Sequence, residues 1–243
     1  MVMSVIRFLT ILALTVVCTY SLNMAQGEVP MIALLIPALW IYPQSGINGV
    51  LLLIAMSIYG LTLSHQPLAL SISSWILFPM LLVAFEPKSN NFVRGVLGLC
   101  VLAMYSGIVM AQGNGSLGGS TSATLIQLLS VALIWYVTFN WHSSKAHSWG
   151  SLLFILPMWI AGLEQAALIA LSVTGIISVS ESLKNLEELD WGKLLCWALP
   201  TVGFSALLLF PDVEMPSQVL IAWIFMFGTA WMTDYFLNME SLD

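Results

Sequence analysis

Apolar residues fill the chain in ten runs separated by short polar or Gly/Pro-containing breaks: Phe8–Ala25, Val29–Tyr42, Ile47–Leu63, Pro67–Phe85, Phe92–Ala111, Ala123–Trp141, Trp149–Ala161, Ala166–Val179, Leu194–Phe210 and Val219–Leu237. A helix rises 1.5 Å per residue and a bilayer's hydrocarbon core is about 30 Å thick, so about 20 apolar residues cross it. Most runs approach that length. Val29–Tyr42, Trp149–Ala161 and Ala166–Val179 are shorter, and each belongs to a pair joined by a few residues, Pro43–Gly46 or Gly162–Gln165. A short run is either a re-entrant limb or a crossing where the bilayer is thinned. The pattern predicts an all-α polytopic membrane protein with about 8–10 transmembrane or re-entrant helices.

Each short pair changes sides an even number of times under either reading, so the loops can be assigned without choosing. With the N-terminus in the cytoplasm, Arg7 and the loops 86–94, 142–148 and 180–193 fall on the cytoplasmic side, together with all six basic residues, Arg7, Lys88, Arg94, Lys145, Lys184 and Lys193. The outer breaks, including Gln112–Ser122 and the segment carrying Asp212 and Glu214, hold no Lys or Arg. This is the positive-inside distribution. Both termini are expected in the cytoplasm, and a bacterial inner membrane is the expected location.

Leu53-Ile54-Ala55-Met56-Ser57-Ile58-Tyr59-Gly60 shares five residues of eight with Leu168-Ile169-Ala170-Leu171-Ser172-Val173-Thr174-Gly175. Pro37 and Trp40-Ile41 likewise match Pro157 and Trp159-Ile160, and Trp75 with Pro79 is echoed by Trp197 with Pro200. Matching segments in the same order predict two repeats, 1–111 and 123–243, joined by an outer Gly/Ser-rich linker over 112–122. An odd number of side changes per repeat makes the two halves inverted, a plan common among secondary transporters.

Composition sharpens this picture. The chain of 243 residues is 59% hydrophobic and 7% charged, against about a quarter charged in globular domains, so lipid is its main solvent and no soluble domain stands out. Cys18, Cys100 and Cys196 each lie within an apolar run, which suggests neither a disulfide framework nor a thiolate metal site. Phe8–Ala25 behind Arg7 resembles a signal peptide in outline, but Asn23-Met24-Ala25 is a poor cleavage site, and an uncleaved first helix is expected.

The candidate chemistry is sparse. Glu164 lies in the turn between two apolar limbs with no basic residue nearby. If that hairpin is re-entrant, the carboxylate is costly to bury and is expected to bind a proton or cation, whereas a full crossing leaves it solvated. Gln165 beside it, and Gln44, Ser45 and Asn48 at the corresponding turn, complete a candidate substrate or ion site of neutral hydrogen-bonding groups. Asp234 lies a turn from the end of the last run, close enough to reach the interface. Ser180–Lys193 reads as an amphipathic helix on the cytoplasmic surface. Gly113-Asn114-Gly115-Ser116-Leu117-Gly118 matches GxGxxG but follows a membrane helix, so a flexible linker is the expected role. His65, His142 and His147 have no partner at metal-ligand spacing, and no nucleophile–base set appears, so no metal, cofactor or enzymatic activity is expected.

These features predict an ion-coupled transporter or flippase that moves a small-molecule or lipid-linked solute. A non-catalytic membrane subunit or assembly factor of an inner-membrane complex is the alternative. The expected partners are the lipid bilayer, the solute and, for the alternative, another membrane protein; nucleic acid is not expected.

Overall fold

The computed structural model describes residues 2–41, 46–140, 149–184, 186 and 189–239, and their regular structure is all helical, with no strand among them. The helices are α1 (Val2–Met24), α2 (Leu35–Ile41), α3 (Gly46–Leu63), α4 (Leu68–Ser73), α5 (Leu77–Ala84), α6 (Asn91–Gly113), α7 (Thr121–Phe139), α8 (Ile155–Ile160), α9 (Glu164–Lys184), α10 (Trp191–Leu208) and α11 (Ser217–Met239). Seven of them, α1, α3, α6, α7, α9, α10 and α11, are long and apolar enough to cross a membrane.

Three 3-10 stretches, Met31–Leu34, Ser74–Ile76 and Trp149–Phe154, lead directly into α2, α5 and α8. The same residue explains all three. Pro37, Pro79 and Pro157 each stand third in the α-segment that follows. Proline has no N–H and its ring crowds the carbonyl four residues earlier, here that of Ala33, Trp75 or Leu153, so the preceding turn loses an α-helical bond and in these three places is 3-10. The central unit Leu68–Ala84 is therefore one helix broken in its middle. It is buried on nearly every side, and both its halves pack on α10, α11 and α7.

Each short pair contains one short limb and one long one. α9 extends from Glu164 through Lys184 instead of stopping near Val179, so the limb expected to be short is 21 residues long. The expected surface helix over 180–193 is likewise absent as a unit. Ser180–Lys184 finish α9, and Trp191–Lys193 begin α10. Leu183 and Trp191 turn inward, Leu183 fully buried with Ile11, Trp191 and Leu195, whereas Leu189 is exposed.

Charge sorts the ends of the bundle. At one end Phe8 meets Trp191, Lys193 reaches Glu86 and Asp234, Lys88 reaches Asn238, Arg94 reaches the Ala84 carbonyl, and Lys184 reaches the Thr138 carbonyl. All described Lys and Arg side chains, including Arg7 beside Phe8, belong to this basic end. At the opposite, acidic end, Tyr20 meets Phe210, the Gly27 turn abuts Leu63, and Leu22 and Val29 pack with Ala166. Glu28, Glu164, Asp212 and Glu214 are exposed there.

Successive helical passes run in alternate directions between these ends, with the broken helix α4–α5 counted as one. α1 begins and α11 finishes at the basic end. Between the two chain halves, α1 packs most extensively on α9 and α3 on α7; α4–α5 lies along α10, α6 lies along α11, and α2 touches the 3-10 stretch before α8.

Candidate functional site

Of the residues expected to form a site, Glu164, Gln165 and Asn48 are described, and Asn48 lies apart from the other two. Glu164 opens α9, exposed, at the acidic end, where its charge suits the positive end of the helix dipole. Gln165 is half-buried beside it. Asn48 is half-buried in the first turn of α3, and Leu63 at the other end of α3 lies at the acidic end, so Asn48 is about 22 Å away from that end along the axis. Glu164 and Asn48 thus lie toward opposite ends of the bundle. Gln44 and Ser45 lie outside the described residues.

The structure instead gathers polar groups along the central helix. Tyr59 of α3 donates its hydroxyl proton to the Ser71 carbonyl at 2.9 Å and accepts from Trp75 Nε1 at 2.8 Å. Trp75 lies inside the 3-10 break. Ser71 Oγ in turn accepts from Gln66 Nε2 at 3.0 Å and Gln127 Nε2 at 3.2 Å, and Gln66 Nε2 also donates to Gln127 Oε1. Thr124 Oγ1 stands 2.8 Å from Gln66 Oε1 and 3.0 Å from Gln112 Oε1. Gln112 Nε2 finally donates to the Gly118 carbonyl at 3.4 Å, in the loop that carries Ser120 N onto the His65 carbonyl. A ladder of neutral polar groups therefore runs from the helix break to the acidic end. Trp75 is eight residues along from Pro67, about 12 Å from that end along the helix axis.

Burial makes the ladder demanding. Gln127 and Ser71 are 0% exposed and Thr124 is 2% exposed. Burying such groups in an apolar medium is costly unless each finds a partner. One donor is short: the single hydroxyl proton of Thr124 can serve only one of the two amide oxygens beside it. The other oxygen keeps an unused acceptor.

The loop 112–122, expected to be a flexible linker, closes the ladder. Leu117 is 2% exposed, its N–H returns to the Ala111 carbonyl at 3.2 Å, and Gly119 sits on Gln66.

At the basic end a different cluster joins three elements. Lys193 Nζ of α10 lies 2.6 Å from Asp234 Oδ1 of α11 and 3.3 Å from Glu86 Oε1 in the turn between α5 and α6. All three side chains are mostly buried, at 26%, 18% and 17% exposed. Asp234, expected to reach the interface, is thus turned inward to a lysine.

Neither cluster stood out in the sequence. Gln127 carries the clearest missed signal, because a carboxamide within an apolar run is expected to face a partner inside a bundle. Gln66, Gln112, Glu86 and Lys193 sit at the ends of runs, where polar residues are ordinary.

No metal-binding group of three or more His, Cys, Asp or Glu residues occurs among the described residues. Comparison of the chain with protein-family models, characterised proteins and solved structures finds no match. The class therefore follows from the chain itself, which is a multi-pass α-helical membrane protein.

Proposed function

We propose that this protein is an ion-coupled transporter or flippase for a small or amphiphilic solute, built from two inverted halves in a bacterial inner membrane. The supporting observation is the neutral polar ladder that leads from one end of the bundle to a break in its central helix. Transporter sites form near the midplane at interrupted helices between repeats, and irregular backbone at that depth is tolerated where it is enclosed by protein or lines a path. A purely structural subunit has no need of polar groups there.

The helix pairings support the two-fold plan. Exchanging the halves turns the α1–α9 pair into α7–α3, and maps α4–α5 with α10, α6 with α11 and α2 with α8 onto themselves. Corresponding elements run in opposite directions, as inversion requires. The confinement of Lys and Arg to one end supports a cytoplasmic basic end. Reporter fusions at Lys88 and Lys184 are accordingly expected to be active in the cytoplasm, and those at Ser116 and Asp212 outside. A cytoplasmic reporter at Ser116 would remove the inverted plan.

The test of the path uses Ser74, buried in the break. In a background lacking Cys18, Cys100 and Cys196, Ser74→Cys is expected to react with a membrane-impermeant thiol reagent from either side, as the protein alternates. Solutes that raise the melting temperature are expected to slow that reaction, since a ligand that binds the folded state stabilises it by mass action. Complete inertness from both sides, with no stabilising solute, would instead favour the subunit reading.

A further inference from the structure

We propose that Glu86 and Asp234 form a proton-binding site in which the Lys193 ammonium occupies the place of the proton. This deepens the transport reading, on which its biological role rests, by naming the coupling ion and its seat.

Three observations support it. One ammonium faces two carboxylates, at 2.6 and 3.3 Å, so the near oxygens of Glu86 and Asp234 are at most about 6 Å apart, close enough for like charges to disfavour double ionisation without a cation between them. The second Glu86 oxygen, Oε2, is enclosed and has no hydrogen-bond partner among the described residues. Each charge also comes from a different element, α10, α11 and the α5–α6 turn, so separating those elements removes the cation from the acids. The carboxylates at the acidic end are exposed and share no such arrangement.

Among the described residues the other charged groups at this end are Arg7, Lys88, Arg94, Glu181, Lys184 and Asp190, of which Glu181 is itself buried, at 7% exposed. Asp190 accepts from the Lys193 backbone N–H at 2.9 Å and caps α10. Lys184 of α9, one turn beyond Glu181, donates to the Thr138 carbonyl at 2.6 Å. Arg94 of α6 donates to the Ala84 carbonyl at 3.0 Å, and Lys88 to Asn238 of α11 at 3.5 Å.

The exchange balances. With Lys193 in place, two carboxylates and one ammonium carry a net charge of −1. When the first turn of α10 moves away, Lys193 stays protonated and one carboxylate takes a proton from hydronium, releasing water. One acid and one carboxylate again carry −1. The pocket thus swaps a tethered cation for a proton at constant charge, and opening of the basic end consumes one proton.

The experiment uses the full chain in lipid nanodiscs with Cys196, one turn beyond Lys193, as the sole thiol after Cys18→Ser and Cys100→Ser. Its reaction with a water-soluble maleimide is followed from pH 8 to pH 5, and each rate is divided by that of the Glu86→Gln/Asp234→Asn protein at the same pH, which cancels the thiol's own pH dependence. The ratio is expected to rise as the pH falls, by up to tenfold per unit, the limit that linkage to one proton sets. If the double variant does not assemble, hydrogen exchange at the first turn of α10 in the unsubstituted protein, corrected for intrinsic rates, is expected to show the same slope. A ratio that is flat with pH overturns the proposal, as does one that follows sodium concentration at fixed pH. The intact slope in a protein that moves no solute would remove the transport reading and leave the proton site standing.

Discussion

Gly119→Ala is expected to lower the melting temperature sharply, whereas Gly115→Ala in the same loop is expected to lower it little. Both glycines hold positive φ, +93° and +73°, a region that costs an L-residue about 1–2 kcal/mol. Only Gly119 is also crowded. A Cβ there would lie 2.6 Å from Gln66 Cβ and 2.9 Å from Gln66 Cα, while a Cβ at Gly115 meets nothing within 4 Å. The Cα is backbone and cannot rotate aside, so Gln66 must shift. Overpacking of this kind adds about 1–3 kcal/mol.

The shift has a second consequence, because Gln66 is the hub of the ladder. Moving it loosens its contacts with Ser71, Gln127 and Thr124 together, and pulls on the bond from Ser120 N to the His65 carbonyl. The total expected for Gly119→Ala is about 2–5 kcal/mol against about 1–2 for Gly115→Ala. Thermal melting of the purified proteins in one detergent checks the difference. Equal melting temperatures would show that the loop moves as freely as a linker and that the ladder does not depend on it.

Much of the fold was legible in the sequence because membrane insertion is governed by long apolar runs. Every described helix coincides with one of the ten runs, within a few residues at most ends. The prolines at 37, 79 and 157 stand in the helices that break, but Pro200 lies inside α10 without breaking it, so proline alone does not mark a break. The end of α9 was not legible. Ser178 to Lys193 is polar enough to be taken for a surface segment, and only packing of Leu183 on α1 shows that the helix continues. The sites were less legible still. A search for charges in turns favours Glu164, which proves exposed, while the ladder joins residues up to 61 positions apart, such as Gln66 and Gln127, none of them charged. Their proximity depends on α3 packing against α7, a pairing that hydropathy does not encode.

Tyr59 and Tyr105 offer the sharpest contrast within one chemistry. Both are buried tyrosines in the same apolar cluster, 8% and 4% exposed. The Tyr59 hydroxyl accepts from Trp75 and donates to the Ser71 carbonyl beside the central break, so Tyr59→Phe strands an indole N–H and weakens an anchor between α3 and the central helix. Hydrogen bonds between membrane helices contribute about 0.6 kcal/mol on average and at most about 1.7, and two are lost here. Tyr59→Ala adds a cavity and is expected to cost about 3–5 kcal/mol. The Tyr105 hydroxyl has no partner among the described residues, and removing a buried polar group that bonds to nothing is neutral or favourable. Tyr105→Phe should therefore melt at or above the parent temperature, Tyr59→Phe below it and Tyr59→Ala far below. The same order should appear in the reactivity of Ser74→Cys, because freeing the break admits water to it: Tyr59→Phe should speed labelling several-fold, and Tyr105→Phe should leave it unchanged. Labelling unaffected by Tyr59→Phe would mean that the break is held by packing alone, and that the polar ladder does not gate it.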